Sequence, residues 1–456
     1  DSLGTGLKLA MHVDHVSIGA DEGWAREYNS HIEREFRAWV GSNRKHVDRT
    51  RKKTWLALQQ SAEISILKHG EILASFEPRP ARGKDRAVAI RMIDPTRLSD
   101  PKDNPTAMRD KDIRGGIEYS KAGEPIAYWI SSRHPRDEVP AHKKFDKLTW
   151  TRFPKYGRSG RLNIFQVAAV EGVDQSRGIS MIAPAIQAMK MVDELSDATL
   201  QSALLQTVFA AVIQSNANWK EVLEIVGADL DEEGDAHNAL MEFQQMRGDF
   251  YRRNKPGIVN DGARLVHLLP DEKLTLEKAS NADPKVAELL SYFELEGARS
   301  FGLSAEEYSG DHSRTSFSSS RMSSQRSHRL IAQRRAATTE VFAKWVLELF
   351  IEEELIRNPG ILPSDVSFYE SRDALTACHF QGPPPIDADP VKSAKAADQR
   401  LQNGTTSHTR EAALLGYDFE EMAQERARDQ KLLESLGLLP SEPTIEETIT
   451  EEQSEA

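Results

Sequence analysis

The sequence of 456 residues contains a single cysteine, Cys378, and no long apolar run. One thiol cannot form an internal disulfide, so the composition favours a reducing compartment. No stretch approaches the roughly 18 to 20 consecutive apolar residues of a membrane span, and no secretory signal pattern opens the chain. We therefore expect a soluble protein of the cytoplasm without membrane contact. The chain opens at Asp1 in a strand-like pattern, so we also expect a preceding segment.

The motifs of several enzyme classes are also missing. The sequence has no G-x-x-x-x-G-K-[ST] and no G-x-S-x-G, which disfavours a P-loop ATPase and a serine hydrolase. Cys378 has only its sequence neighbour His379 beside it, and successive side chains of an extended segment point apart. His12, Asp14 and His15 fall on both faces of a predicted strand, so a polar surface cluster is favoured over a metal site. We expect no catalytic residue, no metal and no cofactor.

Basic residues are fewer than acidic ones, and the acidic excess lies at the carboxyl end. The formal net charge is −12, of which −10 falls between Glu411 and Ala456. The preceding part of the chain is therefore nearly neutral, and any contact with nucleic acid has to be local. Residues 439–456 are acidic and lack aromatic side chains, and we expect them to be disordered.

One segment, from Asp311 to Ala337, reverses the sign of the charge. It contains eight serines and six arginines but only one carboxylate, for a formal charge of +5. Two interpretations stay open. The segment is either a solvated surface loop whose arginines pair locally, or a surface that approaches a polyanion through permanent arginine charges and sequence-independent serine hydrogen bonds. We call it the Ser/Arg segment.

Hydrophobic periodicity predicts helices first and then a sheet. Asp21 can cap an amphipathic helix, a second helix follows it, and short strands run from Ile72 to Val170. The loop RFPKYGRSGR is read as a solvated turn between two strands. A long helix is predicted over 184–215, where LLQTVFAAVI is apolar on nearly all sides and needs cover from its own domain or from neighbouring subunits.

The second half of the chain is predicted to be mostly helical. A helix over about 284–301 ends at Gly302, and S-x-x-E from Ser304 forms a capping box. From Thr338 a strongly amphipathic helix runs through Phe342, Trp345, Leu349 and Ile356, with Glu352, Glu353 and Glu354 on its solvent side. A β-like VSFYESR follows, and residues 389–438 are helical with a break at QNGTTSH.

Four segments, in this order, resemble landmarks of the lambda-type phage portal protein family. They are DIRGGIEYSKAGEPIAYWI, the stretch from DQSRGIS to FAAVI, GLSAEEYSGDHSRTSFSSSRMSSQRSHRLI, and PPPIDADPVKSAKA. The resemblance covers roughly residues 4–438. It departs from the family pattern at the beginning, because the family's N-terminal helical segment is missing from this sequence.

The resemblance implies an α+β portal fold assembled as a ring, usually a dodecamer. The implied segments are an α/β wing (1–183), a descending stem helix (184–215), a small α/β clip (216–282), an ascending stem helix (283–302), a tunnel loop (303–320), a long helix behind the channel (321–357), a return to the wing (358–388), a helical crown (389–438) and an acidic tail (439–456).

The family resemblance also implies function and partners. Portal rings are non-enzymatic conduits at one capsid vertex, through which a terminase packages double-stranded DNA that is later ejected. The implied partners are the terminase large subunit, a head-completion or connector protein, the major capsid or scaffold protein, and DNA bound without sequence specificity. The location is the virion, after assembly in the host cytoplasm. The alternative is a DNA-processing enzyme, such as a nuclease, with the Ser/Arg segment as its DNA clamp.

Site residues follow from the same resemblance. We expect Arg314 and Arg321 to lie near DNA, and Arg329, Arg334 and Arg335 to turn away and pair with carboxylates of their own or a neighbouring subunit. The expected channel residues are Ser309, Arg314, Ser316, Ser318, Ser319, Ser320 and Arg321. The expected subunit-interface residues are Phe209, Val212, Arg334 and Arg335.

Overall fold

The structure, a computed structural model, describes most of the chain. The described residues are 3–80, 85–101, 108–109, 111–134, 148–170, 172–208, 212–215, 241–242, 245–246, 248–249, 252–253, 272–275, 284–313, 315–384 and 389–438. The chain divides into two compact units, residues 1–186 with 295–456, and residues 187–294.

The first unit mixes helices and strands. Its strands are β1 (Lys8–Met11), β2 (Glu71–Phe76), β3 (Ile90–Ile93), β4 (Asp112–Arg114), β5 (Ile117–Tyr119), β6 (Pro125–Ser131), β7 (Trp150–Pro154), β8 (Ile164–Ala168) and, late in the chain, β11 (Cys378–Gln381). Its N-terminal helices are α1 (His15–Ile18), α2 (Glu22–Val40) and α3 (Trp55–His69). The later helices are α6 (Ala305–Ser309), α7 (Phe317–Ala337), α8 (Thr339–Arg357), α9 (Arg372–Leu375), α10 (Pro390–Gln402), α11 (His408–Leu414) and α12 (Phe419–Leu436).

Helices α2, α3 and α8 enclose the main core. As predicted, the Asp21 side chain caps α2 by accepting from the Trp24 backbone N–H at 3.1 Å. The ring of Phe36 packs edge-on against Phe350 of α8 and Trp55 of α3, with centroid separations of 5.2 and 6.1 Å. Aromatic pairs of this geometry add attraction beyond the apolar area that they bury. Phe36 therefore joins the N-terminal hairpin to a helix more than 300 residues later.

Antiparallel sheets complete the first unit. Strand β2 is central in the order β3-β2-β8, and β4, β5, β6 and β7 form a meander. Strand β1 pairs with β11, with Lys8 opposite Gln381. The loop RFPKYGRSGR connects β7 to β8, which confirms its interpretation as a turn between strands. Glu118 in β5 accepts two hydrogen bonds from Arg152 at 2.8 and 3.0 Å, and this pair lowers the carboxyl pKa.

The RGIS sequence ties α3, the meander and the β3–β4 connection together. Arg177 donates to the Glu71 carboxylate and to the carbonyl oxygens of Pro95, Leu98 and Gly115, at 2.5 to 2.8 Å. The next residue, Gly178, lies directly against Gly70, which ends α3 in the left-handed conformation at φ 74°. A Cβ on residue 178 would lie 1.9 Å from the Gly70 carbonyl oxygen. Only glycine fits there, so this landmark has a structural reason.

The three consecutive glutamates of α8 do not face solvent, and that prediction is wrong. Glu352 and Glu354 are only 4% and 1% exposed. Glu354 accepts from His31 at 2.9 Å and pairs with Arg86 at 2.5 Å, while Glu353 accepts from two backbone N–H groups of residues 87 and 88 at 2.7 and 2.8 Å. Burial opposes ionisation of Glu354, but its hydrogen bonds outweigh burial and lower its pKa. The glutamates are buried because cations and donors from other elements satisfy them.

The single long helix predicted over 321–357 is two helices. Helix α7 ends at Ala337 and α8 begins at Thr339, because Thr338 has the non-helical angles φ −127° and ψ −75°. Two further predictions are wrong in this region. Ile356 is 65% exposed rather than on the buried face, and VSFYESR forms turns rather than a strand.

The second unit contains most of two long helices and a short β-pair. Helix α4 (Ala183–Val208) enters it from residue 187, and α5 (Pro284–Phe301) runs through it to residue 294. The helix predicted to 215 is too long, because Val212–Ser215 is strand β9, paired antiparallel with β10 (Glu272–Thr275). Residues 209–211, with Phe209, and most of the predicted clip lie outside the described residues.

The C-terminal helices α10, α11 and α12 confirm the predicted helical region and its break at QNGTTSH. None has more than one buried residue: α11 buries Ala412, and α10 and α12 bury none. The acidic segment 439–456 lies outside the described residues. Across the described helices, none combines the length and apolar character needed to cross a membrane.

Candidate nucleic-acid interface

The Ser/Arg segment begins beyond a tightly capped turn. The Ser304 hydroxyl accepts from the Glu307 N–H at 3.2 Å, and the Glu307 side chain accepts from the Ser304 N–H at 3.3 Å, which confirms the predicted capping box of α6. Gly310 ends α6 in the left-handed conformation at φ 71°. The glycine lets the chain turn sharply out of the helix.

Residues 310–313 and 315–316 form a largely exposed connection held by its own short polar side chains. The Ser313 N–H donates to Asp311 at 2.9 Å, and the Thr315 hydroxyl donates to the His312 carbonyl at 3.2 Å. The ring nitrogen Nδ1 of His312 lies 3.2 Å from the Ser320 hydroxyl. These local contacts fold the connection back onto the start of α7. The described side chains here are compact and carry little fixed charge.

The serines expected in a loop are partly helical. Ser316 caps α7 by accepting from the Ser319 N–H at 3.3 Å, and Ser318, Ser319 and Ser320 form the first turn. The tunnel loop implied over 303–320 thus contains α6 and the first turn of α7. The first turn of α7 contains no acidic residue, so its backbone N–H groups leave a partial positive charge at this end of the helix.

The arginines of α7 fall into two groups on different sides of the helix. Arg326 and Arg329 are exposed, and helical spacing puts them in one stripe with Ser318, which is exposed as well. The pKa of the Asp389 carboxyl is lowered, mainly by the hydrogen bond from Lys392 and to a smaller extent by the charge of Arg321. Arg321 is half-buried and lies near this carboxyl. Arg329 is exposed in the single chain, and its pairing with a carboxylate of a neighbouring subunit stays a prediction.

Arg334 and Arg335 lie on the other side of α7 and face their own chain. Arg334 donates to the Phe301 carbonyl at the end of α5, and its burial lowers its pKa. Arg335 is 7% exposed and lies 3.7 Å from Glu340. Its guanidinium fills the space beside Gly382, where a Cβ would lie 2.1 Å from the Arg335 Cζ, so a larger residue at 382 would require the Arg335 side chain to move. The pairing of Arg335 with a carboxylate of its own subunit is as predicted.

The other predicted site residues are only partly covered by the described residues. The structure brings Ser309, Ser316, Ser318, Ser319, Ser320 and Arg321 together around one exposed turn. The placement of Arg314 and Phe209 lies outside the described residues, and Val212 is in a strand. The exposed stripe through Arg326 and Arg329 was missed. Its signal was available in the three- and four-residue spacing from Ser318 along a helix.

The structure also places Cys378, His379 and Asp14, which the sequence offered as candidates for chemistry. Cys378 is buried, and burial raises its pKa to about 11, so the thiol stays protonated near neutral pH. His379 is exposed on the opposite face of β11, as predicted. Asp14 caps α1 by accepting from the Ser17 N–H at 3.2 Å. In the part of the chain that the structure describes, no three His, Cys, Asp or Glu side chains are grouped to hold a metal ion.

Comparison with known proteins gives one family and consistent relatives. Residues 1–335 match the family described as phage portal protein, lambda family. Portal protein B of Escherichia phage lambda is 24% identical over 445 residues, which cover 96% of this chain and 80% of that protein. The portal protein of Escherichia phage N15 is 24% identical over 446 residues, with the same coverage.

Solved structures of gene transfer agent particles also contain similar chains. A chain from the virion of the native particle is 15% identical with a TM-score of 0.41, and covers 83% of this chain and 84% of its own length. A chain from the neck of the native particle, computed with C12 symmetry, is 14% identical with a TM-score of 0.43, at the same coverage.

Proposed function

Because the chain belongs to the lambda family of phage portal proteins, we propose that it assembles into a ring of about twelve subunits that conducts double-stranded DNA through one capsid vertex. The observation that carries the proposal is the family match over residues 1–335, which extends through the Ser/Arg segment to its last arginine. DNA enters during packaging, driven by a terminase, and leaves at ejection. ATP hydrolysis belongs to the terminase, and we assign no catalytic step to this chain.

We assign the parts of the portal to the observed elements. The N-terminal helices and sheets, with α9 and β11, form the wing. Helices α4 and α5 form the stem, residues 216–282 the clip, α7 and α8 the helical segment behind the channel, and α10 to α12 the crown. Several apolar side chains of the stem helices are exposed in the single chain, including Met189, Leu200 and Tyr292. A subunit packed on each side would cover such side chains, as a ring requires. We place Phe209 in this interface as well.

We place the turn from Ser309 to Arg321 at the channel wall. Exposed hydroxyls offer phosphate oxygens hydrogen bonds without a fixed charge and without base-specific geometry. A wall with many unpaired arginines would bind DNA tightly and with steep salt dependence, which would oppose sliding. The hydrogen bond of Arg334 to the Phe301 carbonyl, the burial of Arg335 and the position of Arg321 near Asp389 support a weakly binding wall.

The docking partners follow from the same assignment. The terminase large subunit and the head-completion protein both bind the clip end, so we expect them to exclude each other. The capsid or scaffold protein contacts the wing. We place assembly in the host cytoplasm and the finished ring in the virion.

A packaging assay on phage particles tests the channel assignment. We expect the double variant Arg314→Ala and Arg321→Ala to change packaging or DNA retention while rings stay intact. The matched double variant Arg334→Ala and Arg335→Ala removes the same charge from buried positions, and should weaken the subunit and therefore the ring. Intact rings and altered packaging in the second variant, with none in the first, would contradict the assignment.

A further inference from the structure

A second concentration of positive charge lies in the loop between α2 and α3. Residues 42–53, SNRKHVDRTRKK, contain six basic residues and one acidic residue, for a formal charge of +5. The side chains of five basic residues are exposed, namely Arg44, Arg49, Arg51, Lys52 and Lys53. We call residues 42–53 the basic loop. The proposed channel does not include it.

The basic loop has a fixed shape because the buried Asp48 organises it. The Asp48 carboxylate, 3% exposed, accepts from the N–H groups of Thr50, Lys52 and Lys53 at 3.1, 2.8 and 2.9 Å and from the Thr50 hydroxyl at 2.7 Å. The single acidic side chain of the loop is therefore spent on the backbone. Its hydrogen bonds go to the loop backbone and to Thr50 rather than to the exposed arginine and lysine side chains, and the loop keeps its formal charge of +5.

Hydrogen bonds from Arg79 and from the backbone of Ile90 also hold the basic loop in place. Arg79 donates to the carbonyl oxygens of His46 and Asp48 at 2.6 and 2.5 Å, and the Ile90 backbone pairs with the loop on both sides of Asp48. Lys45 and Arg51 have positive φ angles of 54° and 57°. Residues other than glycine rarely adopt this backbone conformation, so the fold holds the loop in one defined shape at a cost in free energy.

The cations crowd together with few anions between them. Arg49 lies 3.7 Å from Glu77 and Arg51 lies 3.7 Å from Asp85, both longer than a hydrogen bond. Arg44 and Lys52 form no ion pair with any described residue. The pKa of His46 is lowered by burial and also by the charges of Arg51, Arg79 and Arg44, although Asp85 acts in the opposite sense. The loop thus carries a net positive field.

Chemistry decides which polyanion fits this surface. Protein partners usually bury an apolar or aromatic anchor at the centre of the contact. Residues 42–53 are all described, and no large apolar side chain among them is exposed, since Val47 is only 1% exposed. Rigidly held arginines and lysines without aromatic neighbours suit the phosphate backbone of a duplex, which presents dense negative charge and needs no base contact.

We propose that the basic loop is a second DNA-binding surface, on the outside of the wing body, that holds duplex phosphates without sequence specificity. The proposal goes beyond the channel, and it rests on the proposed function only in taking DNA as the polyanion. A duplex held here does not pass through the ring.

Covalently closed circular duplex DNA separates this surface from the channel, because a circle has no end to thread. Binding of a fluorescent closed circle of a few hundred base pairs to the assembled full-length protein would be measured by anisotropy over a range of salt concentrations. The test variant carries Arg44→Gln, Lys52→Gln and Lys53→Gln. The control variant carries Lys68→Gln, Lys121→Gln and Lys395→Gln, which removes equal charge from exposed positions elsewhere.

We expect the loop variant to bind the circle at least tenfold more weakly at low salt, and the control to stay within about twofold of the parent. The slope of log K against log salt should become shallower by about 0.9 for each phosphate that the variant no longer neutralises, or about 2 to 3 in total. Should the triple variant fold poorly, by circular dichroism, Lys52→Gln alone should still reduce the slope by about 0.9.

Two results would overturn the proposal. Equal binding of the circle by the loop and control variants would show that the loop does not hold DNA. Loop-dependent binding of poly-glutamate, with no loop-dependent binding of the circle, would identify an acidic protein segment as the partner. The portal assignment is judged separately, by the packaging assay. A loop that binds circles in a protein that packages no DNA would leave this proposal standing and refute the other.

Discussion

Arg161 and Glu352 form a two-point ion pair, with Nε to Oε2 at 2.6 Å and Nη2 to Oε1 at 2.7 Å. The pair connects the loop between β7 and β8 to the middle of α8, 191 positions further along the chain. The Tyr369 hydroxyl donates to the same carboxylate at 2.9 Å. The loop RFPKYGRSGR, predicted to be a solvated turn, is therefore fixed to α8 through its last residue, Arg161.

Loss of the Arg161 side chain should destabilise the fold strongly. Arg161→Ala leaves the Glu352 carboxylate, 4% exposed, without its cation, and stranding a buried charge costs several kcal/mol. Because Arg161 itself is partly exposed, we expect a loss of about 2 to 4 kcal/mol in the free energy of unfolding, measured by urea denaturation. Arg26→Ala, which breaks an exposed pair with Glu22, should cost no more than about 0.5 kcal/mol. Equal losses would contradict the argument.

The close approach at Gly178 should tolerate no side chain. In Gly178→Ala the new Cβ would lie 1.9 Å from the Gly70 carbonyl oxygen, and the obstacle is backbone that cannot rotate away. We expect a loss of at least about 2 kcal/mol of unfolding free energy, or insoluble protein. Gly360→Ala is the control, because nothing lies within 4 Å of the point that a Cβ would occupy there. Near-parental thermal stability of Gly178→Ala would show that the two backbone segments are less closely packed than described.

Glu33 makes the attachment of α12 sensitive to pH. Burial, with Asp418 and Glu421 nearby, raises its pKa to about 7 although the Met11 N–H and Arg37 favour the charged form. The folded state therefore binds the proton more tightly than the unfolded state, whose pKa is the ordinary 4.5. The contribution of Glu33 to the free energy of unfolding is therefore fully present below about pH 4.5 and is lost as the pH rises through about 7.

Glu33→Gln should remove this pH dependence. The variant stays neutral, so we expect it to exceed the parent in stability by about 1 to 2 kcal/mol at pH 8, with little difference at pH 5. Thermal unfolding across that pH range measures it. Glu27→Gln, at an exposed position on the same helix, serves as the control and should show no such trend. A constant difference between Glu33→Gln and the parent at every pH would contradict the assigned pKa.

The sequence predicted elements whose causes are local. The cap of α2 by Asp21, the capping box at Ser304 and the stop at Gly302 each depend on residues within one turn, and all are present. Composition located the Ser/Arg segment, and hydrophobic periodicity located the long helices. The exposure of α7 was not deduced, because the distinction between its two sides depends on what Arg334 and Arg335 meet elsewhere in the fold.

Long-range contacts account for the wrong predictions. Three adjacent glutamates indicate solvent exposure by composition, but Arg86, His31 and Arg161 are supplied by segments far away in sequence. No proline or glycine lies beside Thr338, so the sequence gives no local signal that would predict the break between α7 and α8. Its flanking residues are fixed by contacts of Arg335 with Glu340 and the backbone of Gly382. The strand at Val212 is set by its pairing with Thr275, which a helical pattern cannot reveal.

Ring formation tests the central claim most directly. Class-averaged electron micrographs of the purified full-length chain, with mass photometry of the same sample, would give the shape and mass together. A portal predicts closed rings with a central channel and a mass of about twelve times 51.1 kDa. A uniform population near 51.1 kDa that forms no ring, and that cuts DNA when a divalent metal is added, would contradict the portal assignment in favour of a nuclease.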